Sequence, residues 1–462
     1  MVDRTGWDRM NFRRWILIFF CFLNMGFIPG LEASDWGGVG VLFGILGLVY
    51  FVISFFSIPV GLAIMAVSMI FSPEIQVGAI GMREITIRIE DLLIPVLMLA
   101  WLAHAAVRRQ ARGFAPSPVN VPIFVLVLLS IFSTFLGYLK GWVDLVTALF
   151  YFGKTVEYFL IFYIVLNNVR TERQIRNFFF FAILTVTLLS LYTLTQVPST
   201  QVFSSHRISA PFEGDSPQPS TVGGYMAFFL MIILSLFLHV KRKGLKWFYG
   251  ILGVLTFIPF LYTFSRTSYA AFLGGLILLA ILAKKRWLSF LIVGLLVLSP
   301  ILLPRSVKER IAFTWEDSKN PGRNFGVDYS FQERLYSFVH TWDAIRRSPI
   351  YGMGISASHY VDNQYARSLQ EVGLVGMGLW LWIFFRLFKM ARWLYRYLEG
   401  GIFKGLALGY AAGILCILLH GFGSITFYVV RIMEPFWFIS GLVVALYLLK
   451  VKEFSDVEMA KT

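Results

Sequence analysis

The chain has 462 residues, of which 57% are hydrophobic and 17% aromatic, and its mean hydropathy is +0.71. A globular core saturates near half apolar, so this composition excludes an ordinary soluble enzyme or binding module. Forty-one Lys/Arg against 26 Asp/Glu give a formal net charge of +15, a value that suggests nucleic acid until the placement of the charge is examined.

Apolar stretches fall near residues 15–30, 39–55, 57–72, 91–106, 121–137, 147–166, 177–196, 222–240, 247–264, 268–283, 287–303, 367–385, 404–420 and 433–449. Each is close to the roughly 16–22 residues that an α-helix needs to cross a hydrocarbon core of about 30 Å. The expected fold is an all-α polytopic membrane protein with about 12–14 spans and one large extracytoplasmic loop. Its expected parts are a bundle of about eleven spans over 1–303, the loop with a short helix over 304–366, and three spans with a tail over 367–462.

Arg13 and Arg14 precede the first apolar run, with LEA at 31–33 as a loose cleavage site, the pattern of a signal peptide. The alternation of the later loops closes only if the run is kept, so it is read as a first span. The 39–72 run fits either two short helices broken around Pro59 or one tilted helix with a re-entrant piece. Cys21 and Cys416 both lie in apolar runs and are read as buried, inert thiols.

Lys154 and Glu157, in YFGKTVEYF, are three apart and can meet on one helix face. Intramembrane charges suggest function by default, and a structural ion pair is the competing reading. The GKT there is no phosphate loop, because no glycine stands five residues before Gly153. The 197–221 segment is rich in Pro, Gly and Ser, which argues for irregular backbone, and it carries His206, Arg207, Glu213 and Asp215.

Between Trp247 and Ala283 the chain runs 37 residues, about 55 Å of helix, with Arg266 near its middle. That is too long for one crossing, so the run must turn back at FSRTS. The long 304–366 loop contains a helical pattern, FQERLYSFVHTWDAIRRS, with Leu335, Phe338, Val339 and Trp342 on one face. PIYGMG and SHYVDNQYARSLQEVGLVG then return the chain to the membrane.

Alternate loops sort by charge. The N-terminus, RRQAR, NNVRTERQIR, HVKRKGLK, KKR, RLFKMARWLYRYLEGGIFK and the C-terminal tail hold 25 Lys/Arg against 7 Asp/Glu; the rest of the chain holds 16 against 19. The positive-inside rule then assigns these loops and both termini to the cytoplasm. The basic excess is a topology signal and a contact for anionic lipids, with no nucleic-acid partner.

The outer side therefore carries Arg207, Arg266, Arg334 and Arg431 on separate loops. Guanidinium groups suit bidentate binding of phosphate oxygens. The competing reading has each arginine snorkelling or paired with a carboxylate such as Glu434. No Walker loop, no outer Asp-x-Asp pair and no histidine pair at metal-ligand spacing occurs, so no cofactor or metal is expected.

Four segments resemble the bacterial O-antigen ligase and O-antigen polymerase superfamily, integral membrane glycosyltransferases of the C-type fold. They are the Ser-Arg of TFSRTSYAAF, RISAPFEGDSPQPSTVGGYMA, SFQERLYSFVHTWDAIRRSPIYGMGIS and VDNQYARSLQEVGLVG. The resemblance implies transfer of a glycan from an undecaprenyl-diphosphate carrier to a lipid or glycan acceptor hydroxyl. That transfer occurs on the outer face of the bacterial cytoplasmic membrane, without metal or nucleotide and with inversion. Arg207 and Arg266 would then bind the diphosphate, with Arg334 and Arg431 secondary.

The family's stretch often has His where this chain has Asp362, and His359 lies three residues earlier. Asp362 is favoured as general base over His359, while the simpler role of the Asp-Asn pair is to cap the following helix. Ligase and polymerase differ only in acceptor. The alternative from another class is a transporter, such as a flippase for lipid-linked glycans.

Overall fold

Lipid offers no hydrogen bonds, so a spanning segment must satisfy its own backbone, and for these apolar runs the helix does that. A computed structural model describes residues 36–80, 83–107, 114–197, 207–211, 213, 218–302, 304–309, 339, 341–357 and 361–459. The expected 15–30 span and Cys21 lie outside them. Two compact units divide the chain, 1–111 and 112–462.

In the first unit, α1 (Trp36–Phe56) and α2 (Ile58–Phe71) are separated at Ser57, whose backbone is non-helical at φ −149° and ψ 87°. The 39–72 run is thus two helices, with Pro59 in the first turn of the second, where its missing N–H is tolerated. A hairpin follows, β1 (Glu74–Ile80) antiparallel to β2 (Arg83–Arg88), between the apolar runs expected at 57–72 and 91–106. It leads into α3 (Ile89–Val107). The Tyr50 hydroxyl donates to the Gly61 carbonyl at 2.9 Å and ties α1 to α2.

The second unit holds α4 (Asn120–Leu139), α5 (Leu145–Asn168), α6 (Glu172–Gln196), α7 (Pro219–His239), α8 (Lys243–Leu261), α9 (Arg266–Ala283) and α10 (Arg286–Leu302). It continues with α11 (Gln364–Tyr397), α12 (Ile402–His420) and α13 (Val430–Met459). The helix expected within the long loop is described at 339 and 341–347. Ten of the described helices are long and apolar enough to cross a bilayer, which makes the chain a multi-pass membrane protein whose described spans are all α-helical, with the hairpin as the one departure from an all-α fold among the described residues.

Several helix starts follow from local chemistry. Asp144 accepts from the Thr147 amide, Thr171 and Gln174 form a capping box, Ser265 accepts from the Ser268 amide, and Asn363 accepts from those of Tyr365 and Ala366. The Thr147 hydroxyl, and then its amide, hold the Asp144 carboxyl below its usual range.

Helices α7 and α13 form the centre of the second unit, each with 83% of its apolar window buried against 33% for α8. Between helices in lipid, close approach at small residues replaces the hydrophobic effect. On α12, Gly405, Gly409 and Gly413 recur every fourth residue and meet Leu236, Ile232 and Phe228 of α7. A Cβ at Gly409 would strike the Ile232 Cα and the Met231 carbonyl. Side-chain hydrogen bonds add to this packing, Ser190 to Thr256 at 2.8 Å between α6 and α8, and Tyr410 to Ser440 between α12 and α13.

Gly409→Leu is therefore expected to separate α12 from α7 at a cost of at least about 1–3 kcal/mol. The check is a drop in the thermal unfolding midpoint in detergent, with Gly378→Leu, on α11 where a Cβ meets nothing within 4 Å, as control.

Candidate functional site

One end of the second unit gathers the N-termini of α5, α7, α9, α11 and α13 with the C-terminus of α12. Bonds between Ser220 and Ser265, Ser220 and His420, and Asn363 and Phe422 hold several of these ends together, and the hydroxyl of Tyr158, midway along α5, donates to the Tyr428 carbonyl. A helix N-terminus carries roughly half a positive charge, which the C-termini of α6, α8 and α12 at the same end oppose, so a preference for anions here depends on the arginines.

Arg266 is the first residue of α9, immediately after the capping Ser265, and is half-buried. It stands one place beyond the turn that the run was expected to make there. The turn itself is 262–265, with Phe264 in the left-handed region at φ 51°. A cation at a helix N-terminus opposes the macrodipole, so positive charge is concentrated here against local preference.

Arg207 is exposed, and the chain just after it is fixed to the end of α6. The Ser209 amide donates to Gln196 Oε1 at 3.0 Å, and Gln196 Nε2 donates back to the Ser209 carbonyl at 3.1 Å. Arg431 is 1% exposed and donates to Glu213 at 3.0 Å, while the other Glu213 oxygen accepts the Gln218 amide at 2.9 Å. This geometry braces Glu213 and Gln218 against α13.

Asp362 is half-buried, directly before Asn363, which caps α11 and donates to the Phe422 carbonyl at 2.7 Å. The cap in the Asp-Asn pair is thus the asparagine. Lys154 and Glu157 meet at 3.6 Å on α5 and are mostly buried. His206, Asp215, Arg334 and His359 lie outside the described residues.

Residues not singled out from sequence complete this end. Helix α11 breaks at Gly373, where φ is +66°, and segment 349–356 fills the break. The amides of Leu374 and Val375 donate to the carbonyls of Pro349 and Ile350 at 2.9 and 3.1 Å. In return the amides of Met353 and Gly354 donate to the carbonyls of Gln370 and Glu371 at 2.7 and 3.0 Å. The two backbones are so close that a Cβ on Gly352 or Gly373 would overlap the facing chain, which is why both positions require glycine.

The Glu371 carboxylate joins these parts. It accepts from Arg367 Nε at 2.9 Å, from the Ser356 amide at 3.1 Å and from the Tyr428 hydroxyl. The Arg367 guanidinium stacks on the Tyr428 ring at 3.8 Å and reaches the Tyr151 ring at 5.0 Å. Burial, reinforced by Glu371, raises the Tyr428 phenol well above its ordinary range and keeps it a donor. Arg367 and Glu371, four apart in QYARSLQEVG, are placed on one helix face as are Lys154 and Glu157, three apart. His420, 1% exposed at the end of α12, gave no signal beyond its own presence.

Residues 251–381 match the family model described as O-Antigen ligase, a span that includes the α8–α9 turn, the long loop and the start of α11. No curated protein matches the chain.

Glu371→Gln leaves the Arg367 charge buried without its counter-ion and is expected to cost about 3–5 kcal/mol. The measurement is the unfolding midpoint in detergent. The double variant Glu371→Gln/Arg367→Met is expected to recover part of the loss, since it removes the stranded charge.

Proposed function

We propose that the chain is a glycosyltransferase of the O-antigen ligase and polymerase superfamily, a reading supported by the match of residues 251–381 to the O-Antigen ligase family model. The proposed reaction moves a glycan from an undecaprenyl-diphosphate carrier to an acceptor hydroxyl at the extracytoplasmic face of the bacterial cytoplasmic membrane. The observation that carries this reading is Arg266 at the start of α9, on the same end of the bundle as Arg207 and Asp362. A diphosphate is the anion that such a set, at membrane-surface depth, is suited to hold.

In the proposed step Asp362, or His359 in its place, takes the proton of the acceptor hydroxyl. The hydroxyl oxygen attacks the anomeric carbon from the side opposite the phosphate. The bond from that carbon to the phosphate oxygen breaks, its electron pair leaves with undecaprenyl diphosphate, and the anomeric configuration inverts. Arg207 and Arg266 stabilise the charge that develops on the leaving oxygen. Arg334 is a further donor for the same anion, and Arg431 serves indirectly, by bracing Glu213 and Gln218. The step is drawn without metal or nucleotide, as the family likeness implies.

Sidedness is supported by charge. Arg170, Arg173, Arg176, Lys241, Arg242, Lys243, Lys246, Lys284, Lys285, Arg286 and Lys404 stand at the opposite ends of these helices, the ends that face the cytoplasm under the positive-inside rule. A polymerase differs from a ligase here only in using a second carrier-linked glycan as acceptor.

Purified protein incubated with undecaprenyl-diphosphate-linked glycan and candidate acceptors is expected to release undecaprenyl diphosphate and join glycan to acceptor. Arg266→Ala is expected to lower kcat about 10²–10³-fold while remaining folded. A product extended by one unit marks the ligase and a ladder marks the polymerase. Carrier movement in proteoliposomes without transfer marks a flippase and rejects the enzyme.

A further inference from the structure

Beneath the α8–α9 turn lies a chain of polar side chains that the reaction above does not use. His420 is 1% exposed, and both of its ring nitrogens are engaged. Nδ1 meets the Thr426 hydroxyl at 2.8 Å, and Nε2 meets the Ser220 hydroxyl at 3.3 Å and the Ser220 carbonyl at 3.1 Å. The Ser268 hydroxyl donates to that of Ser265 at 2.7 Å, which donates to that of Ser220 at 3.4 Å. At the far end the Thr426 hydroxyl stands 3.4 Å from the Ser424 carbonyl.

The Ser220 carbonyl can only accept, so its 3.1 Å contact places the proton of a neutral imidazole on Nε2, and Nδ1 then accepts from the Thr426 hydroxyl at 2.8 Å in preference to that hydroxyl's 3.4 Å contact with the Ser424 carbonyl. The relay thus joins the end of α12, the 421–428 segment, the start of α7 and the cap of α9, which is the residue before Arg266. Two glycines give it room. A Cβ at Gly223 would collide with the Ser268 side chain, and one at Gly224 would stand 3.0 Å from the imidazole Cε1 and Nε2. The Gly-Gly of PSTVGGYMA thereby admits the α9 cap and the histidine side by side. Gly423 packs with equal closeness on Thr267, on the other side of Arg266.

We propose that His420 is a positioning residue for the diphosphate: through Ser220 and Ser265 it fixes the start of α9 and so the direction in which Arg266 presents its guanidinium. The proposal rests on the reading of that turn as the diphosphate site. A residue that only stabilised the bundle would lower stability without favouring one substrate. A residue that aims Arg266 affects the carrier-linked donor and spares the acceptor.

The test uses the full chain in detergent, with undecaprenyl diphosphate as the binding probe and the transfer assay for KM. His420→Ala and Ser220→Ala are each expected to weaken probe binding and raise the donor KM by about tenfold, the size of effect a lost buried hydrogen bond produces, with the acceptor KM unchanged. His420→Gln, whose amide both donates and accepts, is expected to restore most of the loss. Unchanged donor KM in His420→Ala, or equal loss in donor KM, acceptor KM and unfolding midpoint, overturns the proposal. If His420→Ala does not fold, Ser220→Ala decides by the same criterion. Arg266→Ala separates the two levels. Probe binding kept in that variant overturns the diphosphate reading together with the relay, whereas binding lost there but kept in His420→Ala and Ser220→Ala overturns the relay alone.

Discussion

A helix interrupted at membrane depth exposes amides and carbonyls that lipid cannot satisfy, and the break in α11 at Gly373 is where the candidate site meets that constraint. Segment 349–356 supplies the missing partners, its carbonyls capping the second half of the helix and its amides closing the first. Ser133 and Thr134 of α4 bond to the same two strands of chain, at the Glu371 carbonyl and the Ile355 amide. The return of the long loop is thus determined by backbone accounting, and Asn363 and Gln364 are delivered to the end of α12 as a consequence. Gln364 completes the join, its amide bonded to the Gly421 carbonyl and its Oε1 accepting the Phe427 amide.

Charge at this end is divided by depth. The deeper arginines have carboxylates, Arg367 with Glu371 and Arg431 with Glu213, and a buried pair of this kind contributes position more than stability. Arg207 and Arg266 stand nearer the surface, the first exposed and the second half-buried at a helix start. The deep pairs fix the segments, and the shallow arginines follow them. A field built this way is preorganised, so an arriving anion meets donors that do not have to be rearranged.

The helices were legible because the bilayer imposes a length and an apolar composition. The expected 121–137, 147–166 and 404–420 runs lie inside α4, α5 and α12 and differ from them by a few terminal residues. Helix α11 overruns its expected end at 385 because length set by lipid ends where Arg386 to Arg396 leave the apolar region, while the helix itself has no reason to stop. The hairpin was obscured for the opposite reason, since EIQVGAI and REITIR alternate with a period of two and carry no signal on a scale built for spans. At the site, a cap in the Asp-Asn pair was readable from residue type, whereas Ser265 drew notice only through its neighbour Arg266. His420 was not, because its partners Ser220 and Thr426 come from other parts of the chain and are joined to it only by the fold.

The glycines connect these observations. In GLALGYAAG they let α12 lie against α7, and in the Gly-Gly of α7 they admit the α9 cap and the imidazole. Both sets act on the same helix, so the packing that holds the bundle together also sets the height at which α12 ends. Moving α12 outward by one methyl group would shift His420 away from Ser220 before it exposed any lipid-facing surface. Because hydrogen bonds depend on distance and angle while dispersion in a bilayer is recovered from lipid tails, the polar end of this bundle is more sensitive to helix spacing than the apolar body, and the links at Ser220, at 3.3 and 3.4 Å, have little margin. Small residues deep in the span therefore control the geometry of Arg266 at the surface, although none of them touches it.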